Sequence, residues 1–246
     1  MVIDIAAHTY DVTVTPSGGA AIALATGYAF RSEQATVSQL DHWALVHSTA
    51  TGATVKDFRI VPPTMPLEIA GWAVVAEHGV AGEVTTAVAD GYVEPRLSGL
   101  RRLRITFSRA VDPGTMQPGA VTIVGSQNGD LTALVQSLTL DQSETVLSVT
   151  LASPVPDADT YTVAVAGTLR DTDGQPVTGD ADVAIRVLAG DADGSGAVTP
   201  ADILAIRSAA GDPLAAATAP FDLDCSGAIT GADLLAARRH MGAALP

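Results

Sequence analysis

The chain has 246 residues, with 27 acidic against 13 basic side chains and a formal net charge of −14. That balance argues against a nucleic-acid partner, because a phosphate backbone is held by Lys and Arg, and Lys56 is the single lysine. No run approaches the roughly 18 apolar residues of a membrane-spanning helix.

Residues 1–92 read as a small β domain, truncated at its start. Short apolar or alternating runs occur at 2–5, 10–14, 21–25, 43–46, 56–61, 73–76 and 83–88, with Pro16-Ser-Gly-Gly19 as a hairpin-type turn. Pro62, Pro63 and Pro66 interrupt the runs, and Tyr92-Val-Glu-Pro95 reads as a linker. The opening residues, Met1-Val-Ile-Asp-Ile, have neither the charged nor the apolar region of a secretory signal, which suggests a fragment of a longer exported protein. Asp41, His42, Trp43 and His47 lie close in sequence, as do Glu77 and His78, but no HExxH, GxSxG, CxxC or P-loop pattern accompanies them. No enzyme activity is expected. Trp43 and Trp72 read as packing residues, with a sugar-stacking platform as the alternative.

Residues 93–189 read as a β-sandwich. Leu103, Ile105 and Phe107 alternate with Arg102, Arg104 and Thr106, and β-rich runs follow at 120–124, 133–140, 145–151, 160–166 and 182–188. Gly, Pro, Asp and Asn clusters separate them at the spacing of a sandwich. The run from Leu103 to Asp112, the strand around Tyr161-Thr-Val-Ala-Val165 and the turn Asp171-Thr-Asp-Gly-Gln175 resemble a bacterial Ig-like domain. That last turn is not a metal loop: its sixth position is Pro176, which cannot make the required bend.

The C-terminal 190–246 carries one acidic pattern twice, 31 positions apart. Asp191, Asp193, Ser195, Ala197, Thr199 and Asp202 recur as Asp222, Asp224, Ser226, Ala228, Thr230 and Asp233. Oxygen-bearing side chains fall at loop positions 1, 3, 5, 9 and 12, with glycine at 6 and a β-branched residue at 8. A twelve-residue loop wraps calcium in this way, since the hard cation takes six to eight oxygens and the chain bends sharply at position 6. Three carboxylates packed together without a cation would repel one another by energies on the order of a few kcal/mol. Each loop runs into a helix, with Thr199 or Thr230 as N-cap and Asp202 or Asp233 at N3. Gly211 and Gly242 end the two helices. Cys225 cannot pair internally and occupies a non-ligand loop position.

This loop–helix repeat resembles the type I dockerin module. The resemblance implies two Ca²⁺ ions, held by the six residues named in each loop through side chains and the Ala197 and Ala228 carbonyls. It also implies docking onto a cohesin-type domain. At loop positions 10 and 11, where that family often has Ser-Thr, this chain has Pro200-Ala201 and Gly231-Ala232. A pseudo-twofold pair of units is expected, with a backbone bridge between Val198 and Ile229 and with Arg207 and Arg238 at the rim.

The fold expected is therefore mainly β: two sandwich-like β domains, then a small α dockerin-like module. The chain is expected to be a monomeric, non-catalytic, calcium-binding part of an extracellular or cell-surface bacterial protein. Attachment to a cohesin-type partner is the first role. The alternatives are an intramolecular calcium staple closing the sandwich end, or an ancillary region of a polysaccharide-degrading hydrolase. Asp191→Ala and Asp222→Ala are each expected to abolish one site and leave 94–189 folded.

Overall fold

A computed structural model of the chain describes residues 2–4, 7–15, 19–29 and 66–246. They belong to two units, Met1–Ile60 and Val61–Pro246. In the first, β1 (Val2–Asp4), β2 (Thr9–Val14) and β3 (Ile22–Ala29) form an antiparallel sheet in the order β1-β2-β3. The β2–β3 register slips beside Val12, where Gly27 takes φ +64° and donates its N–H to the Asp11 carboxylate at 2.6 Å. Among the described residues this unit is one three-stranded sheet. The strands expected at 43–46 and 56–61, and Asp41, His42, Trp43 and His47, lie outside the described residues.

The second unit contains a sandwich of two β-sheets. Its strands are β4 (Leu67–His78), β5 (Gly82–Val88), β6 (Tyr92–Glu94), β7 (Arg102–Phe107), β8 (Val121–Gly125), β9 (Gly129–Asp130), β10 (Val135–Leu140), β11 (Val146–Leu151), β12 (Asp159–Val165), β13 (Val177–Thr178) and β14 (Asp182–Val187). One sheet runs β10-β11-β7-β4-β13, with β5 also paired to β4; the other runs β6-β14-β12-β8-β9. Alternation drives the layering: Leu103, Ile105 and Phe107 of β7, Leu147, Val149 and Leu151 of β11, and Tyr161, Val163 and Val165 of β12 all point into the shared core. On the opposite face, Arg102 pairs with Glu83 at 2.7 Å and Glu77 at 3.2 Å, and Arg104 pairs with Glu83. These exposed pairs each contribute little.

The sandwich starts upstream of the boundary at 92–93 read from the sequence. Leu67–His78 and Gly82–Val88, assigned to the N-terminal domain by position alone, are strands of its first sheet. β4 lies between β7 and β5 and sends Leu67, Trp72 and Val74 into the core. Strand pairing over that distance leaves no trace in local periodicity. Trp72 is 9% exposed, which makes it a packing residue and removes it from any sugar platform.

Asp159, at the start of β12, holds the turn between β8 and β9. Its carboxylate accepts bonds from Ser126 Oγ at 2.5 Å, Asn128 N at 3.0 Å and Asn128 Nδ2 at 2.8 Å. Burial pushes this carboxyl upward, but the bonds from Ser126 and Asn128 outweigh it and hold the pKa far below the ordinary 3.8. A lowered folded-state pKa stabilises the fold fully above the unfolded value and is lost as pH falls through the folded one. The sandwich is therefore expected to lose melting temperature between about pH 4 and 2, with a shallower loss in Asp159→Asn. Thermal melts across that range check this; parallel slopes for the two proteins would contradict it.

Candidate metal centre

The two acidic loops occupy 191–202 and 222–233, and helices α1 (Pro200–Ala209) and α2 (Gly231–Arg239) grow from their last residues. Thr199 Oγ1 accepts Ala201 N at 3.2 Å and Thr230 Oγ1 accepts Ala232 N at 3.1 Å. In return, Asp202 Oδ2 accepts Thr199 N at 2.7 Å and Asp233 Oδ2 accepts Thr230 N at 2.8 Å, completing a capping box in each unit. The other oxygen of each aspartate reaches back into its loop, accepting Asp193 N at 3.0 Å or Asp224 N at 3.2 Å. The structure thus gives the Thr199 and Thr230 hydroxyls a capping role beside the position the repeat assigns them.

At loop position 1, Asp191 accepts Ser195 N through Oδ1 at 3.0 Å and Gly196 N through Oδ2 at 2.8 Å. Asp222 does the same with Ser226 N and Gly227 N at the same distances. Gly196 and Gly227 take φ of +93° and +97°, the left-handed bend the loop needs at position 6. Oxygens of Asp191, Asp193 and Asp202 gather within 4.8 Å of one another, and so do those of Asp222, Asp224 and Asp233. In each trio the first and last carboxylates are buried and the middle one is exposed. Ser195 Oγ donates to the Ala197 carbonyl at 3.1 Å and Ser226 Oγ to that of Ala228 at 3.3 Å, so oxygens 5 and 7 of each loop are adjacent.

Such a set fits a hard divalent cation. It offers carboxylates, a hydroxyl and a carbonyl, with no nitrogen or sulfur donor, which suits Ca²⁺ over zinc or copper. Burial pushes the Asp191 carboxyl upward, and the charge of Asp202 adds to that. Burial likewise raises Asp233, helped by the charges of Asp224 and Asp222. At Asp193 and Asp224 the bonds from Ser195 and Ser226 overcome burial and lower the pKa. Each loop is thus a cluster of like charge in which two of three carboxylates are out of water, an arrangement a bound cation relieves.

The repeat is reciprocal, though not through the Val198–Ile229 bridge expected from the sequence. Gly242 N donates to Val198 O at 2.9 Å, and its counterpart Gly211 N donates to Ile229 O at 3.1 Å. Each position-8 residue therefore pairs with the end of the other unit's helix. Val198 N also donates to Ala243 O at 2.8 Å. Both position-8 carbonyls and the Val198 N–H are thus taken by these segments, which compete with a bridge between the loops. Ile206, Ala209, Leu223, Ile229, Ala236 and Ala237 form the common core. Arg207 and Arg238 are exposed, as are Leu204 at 60% and its equivalent Leu235 at 49%.

Both loops are built into the end of the sandwich. Val198 packs with Val93 and Leu188, Gly190 N donates to Pro95 O at 2.8 Å, and Leu97 N donates to Leu223 O at 2.9 Å. Arg186 of β14 donates to Gly91 O at 2.6 Å and Gly194 O at 3.0 Å. Cys225 lies against the 96–99 turn, its Sγ 3.3 Å from Ser98 Oγ, and burial raises its pKa, which opposes a reactive thiolate. Asp171 forms the turn expected of it: its Oδ1 accepts Asp173 N and Gln175 N, and Arg109 pairs with its Oδ2 at 2.8 Å.

A contact that sequence reasoning missed is buried in this seam. His78, at the end of β4, sets Nδ1 2.8 Å from Asp222 Oδ2 and Nε2 3.1 Å from Arg96, while Arg96 grips Glu94 with Nε at 2.6 Å and a terminal nitrogen at 2.5 Å. All four side chains are buried. Tyr92 lies beside the group, and burial with the Glu94 charge pushes its hydroxyl far above the usual range. His78 is adjacent to Glu77 in sequence, but its partner Asp222 is 144 residues away.

Residues 83–185 match the family model of a bacterial Ig-like domain. Both acidic loops fall outside that match, and no dockerin family matches. No curated protein matches the chain. Among solved structures, the S-layer protein rSbsC(31–844) is 18% identical over 50% of this chain and 14% of its own, with a TM-score of 0.35. The N-terminal part of the bacterial S-layer protein SbsC is 19% identical, covering 50% of this chain and 24% of its own, with a TM-score of 0.34. Native alpha-2-macroglobulin of E. coli is 13% identical over 51% of this chain and 6% of its own, with a TM-score of 0.33. The chain thus spans less than a quarter of each. Among the described residues, no helix is long and apolar enough to cross a membrane.

Proposed function

We propose that this chain is a non-catalytic, calcium-binding part of an exported bacterial protein, in which two Ca²⁺ loops staple the end of an Ig-like sandwich. The observation that carries this reading is the pair of carboxylate trios, each within 4.8 Å and each with two members buried, on scaffolds that match bond for bond. Asp191, Asp193, Ser195, Ala197 and Asp202 would hold one ion, with Thr199 beside them. Asp222, Asp224, Ser226, Ala228 and Asp233 would hold the other, with Thr230 beside them. The bound ions would supply charge neutralisation to carboxylates that the fold withdraws from water, so binding free energy becomes folding free energy. An extracellular setting, where free calcium is high, agrees with this role. Titration calorimetry of the intact chain is expected to give two Ca²⁺ per chain, falling to one in Asp193→Ala and in Asp224→Ala. Absence of binding at millimolar calcium would end the reading.

Attachment to a cohesin-type partner is a second reading, and one observation favours it. Leu204 and Leu235 are exposed at equivalent helix positions, with Arg207 and Arg238 three residues on in each case. The surface is thus presented twice and is apolar and arginine-led, since Pro200-Ala201 and Gly231-Ala232 offer no side-chain hydroxyls. If this face docks, charge reversal at Arg207 and Arg238 together removes capture by a cohesin domain and leaves calcium affinity unchanged. Capture that survives the double change, or is absent from the start, leaves the staple alone.

A further inference from the structure

The two loops agree in every internal hydrogen bond described above, yet only one has its first carboxylate held from outside. Asp222 Oδ2 accepts Gly227 N and also faces His78 Nδ1, both at 2.8 Å. Its equivalent Asp191 Oδ2 accepts Gly196 N alone among the described bonds. Proceeding from the reading of these loops as calcium sites, we infer that His78, held by Arg96 and Glu94, is the positioning residue of the second site and makes the two sites unequal.

The chemistry of the chain of contacts assigns each proton. A guanidinium only donates, so His78 Nε2, 3.1 Å from Arg96, accepts, and the ring is the tautomer with its proton on Nδ1. That N–H donates to Asp222 Oδ2. Two donors then fix Oδ2, and the carboxylate plane is set with Oδ1 on the side where Ser226 N bonds both Asp222 Oδ1 and Asp224 Oδ1, each at 3.0 Å. Arg96 is paired with Glu94 through two bonds and makes none to Asp222 among the described bonds. The imidazole between them passes the orientation of Arg96 on to Asp222. Outer partners of this kind characteristically change metal affinity about 10–100-fold when removed.

The test uses calcium itself and the intact chain, with one site silenced at the exposed middle carboxylate of its trio. In Asp193→Ala, where the second site remains, His78→Phe is expected to weaken Ca²⁺ binding by about 10–100-fold in calorimetry. In Asp224→Ala, where the first site remains, the same change should leave affinity within about twofold. His78→Asn, whose amide lies near the place of Nδ1 and still donates, should recover most of the second-site affinity. If His78→Phe does not fold, Arg96→Met takes its place, since it leaves the ring but removes the donor that fixes its tautomer; it should also weaken the second site selectively. Equal losses at both sites, no loss at the second, or no rescue by asparagine would overturn the inference while leaving calcium binding intact. A parent chain that binds no calcium would remove the inference together with the reading beneath it.

Discussion

Chelation of calcium from the intact chain is expected to lower its melting transition by roughly 10–20 °C. At an ion concentration about a hundred times the dissociation constant, each site contributes about 2.7 kcal/mol to the folded state. For a unit the size of Val61–Pro246, each kcal/mol corresponds to roughly 2–4 °C. The loss should reach the sandwich as well as the helices. Val198 packs on Val93 and Leu188, and backbone bonds tie Gly190 to Pro95 and Leu97 to Leu223. Differential scanning calorimetry with calcium and with EDTA measures the shift, and the near-ultraviolet signal of Trp72 in the sandwich core reports whether the sandwich takes part. An unchanged transition in EDTA would refute the staple.

Gly227→Ala is expected to cost on the order of 3–4 kcal/mol, and Gly196→Ala about 1–2. Both glycines hold loop position 6 with nearly the same positive φ, so the backbone strain of an alanine is common to the two and cancels in the comparison. What differs is the space. A Cβ on Gly227 would come within 2.7 Å of the His78 carbonyl oxygen and 3.3 Å of Ala81 N, both backbone atoms. On Gly196 the nearest atom is the end of the Arg186 side chain at 3.4 Å, which can turn aside. The excess measures how tightly the second loop is seated on the sandwich. Thermal melts of the two variants in saturating calcium should differ by about 4–8 °C. Equal destabilisation would mean that the seam opens without cost.

That seam adds to the expectation that Asp222→Ala abolishes one site and leaves 94–189 folded. Removing this carboxylate strips His78 of a buried partner, so part of the loss falls on β4, whereas Asp191 has no such tie among the described bonds. The loops themselves were legible because their chemistry is local: the oxygens at alternate positions, the glycine bend and the capping threonine all lie within twelve residues. The strand β7 was legible from alternation over a buried face, and β11, β12 and β14 as β-rich runs set off by turn residues. β4 was legible as a strand in part, but its membership was not, since nothing in Leu67–His78 names β7 as its neighbour. The buried group formed by Glu94, Arg96, His78 and Asp222 was invisible for the same reason. Its members satisfy one another only after the chain has brought distant segments together.

The aspartates at position 12 carry a kinetic consequence. Asp202 and Asp233 each accept the N-cap amide of a helix with one oxygen and a loop amide with the other. On the reading of these loops as calcium sites, release of an ion would require such a carboxylate to swing away, and that movement would uncap the first turn of α1 or α2. The residence time of calcium would then follow the fraying of a helix end, a local opening far slower than side-chain rotation, rather than the loop's own flexibility.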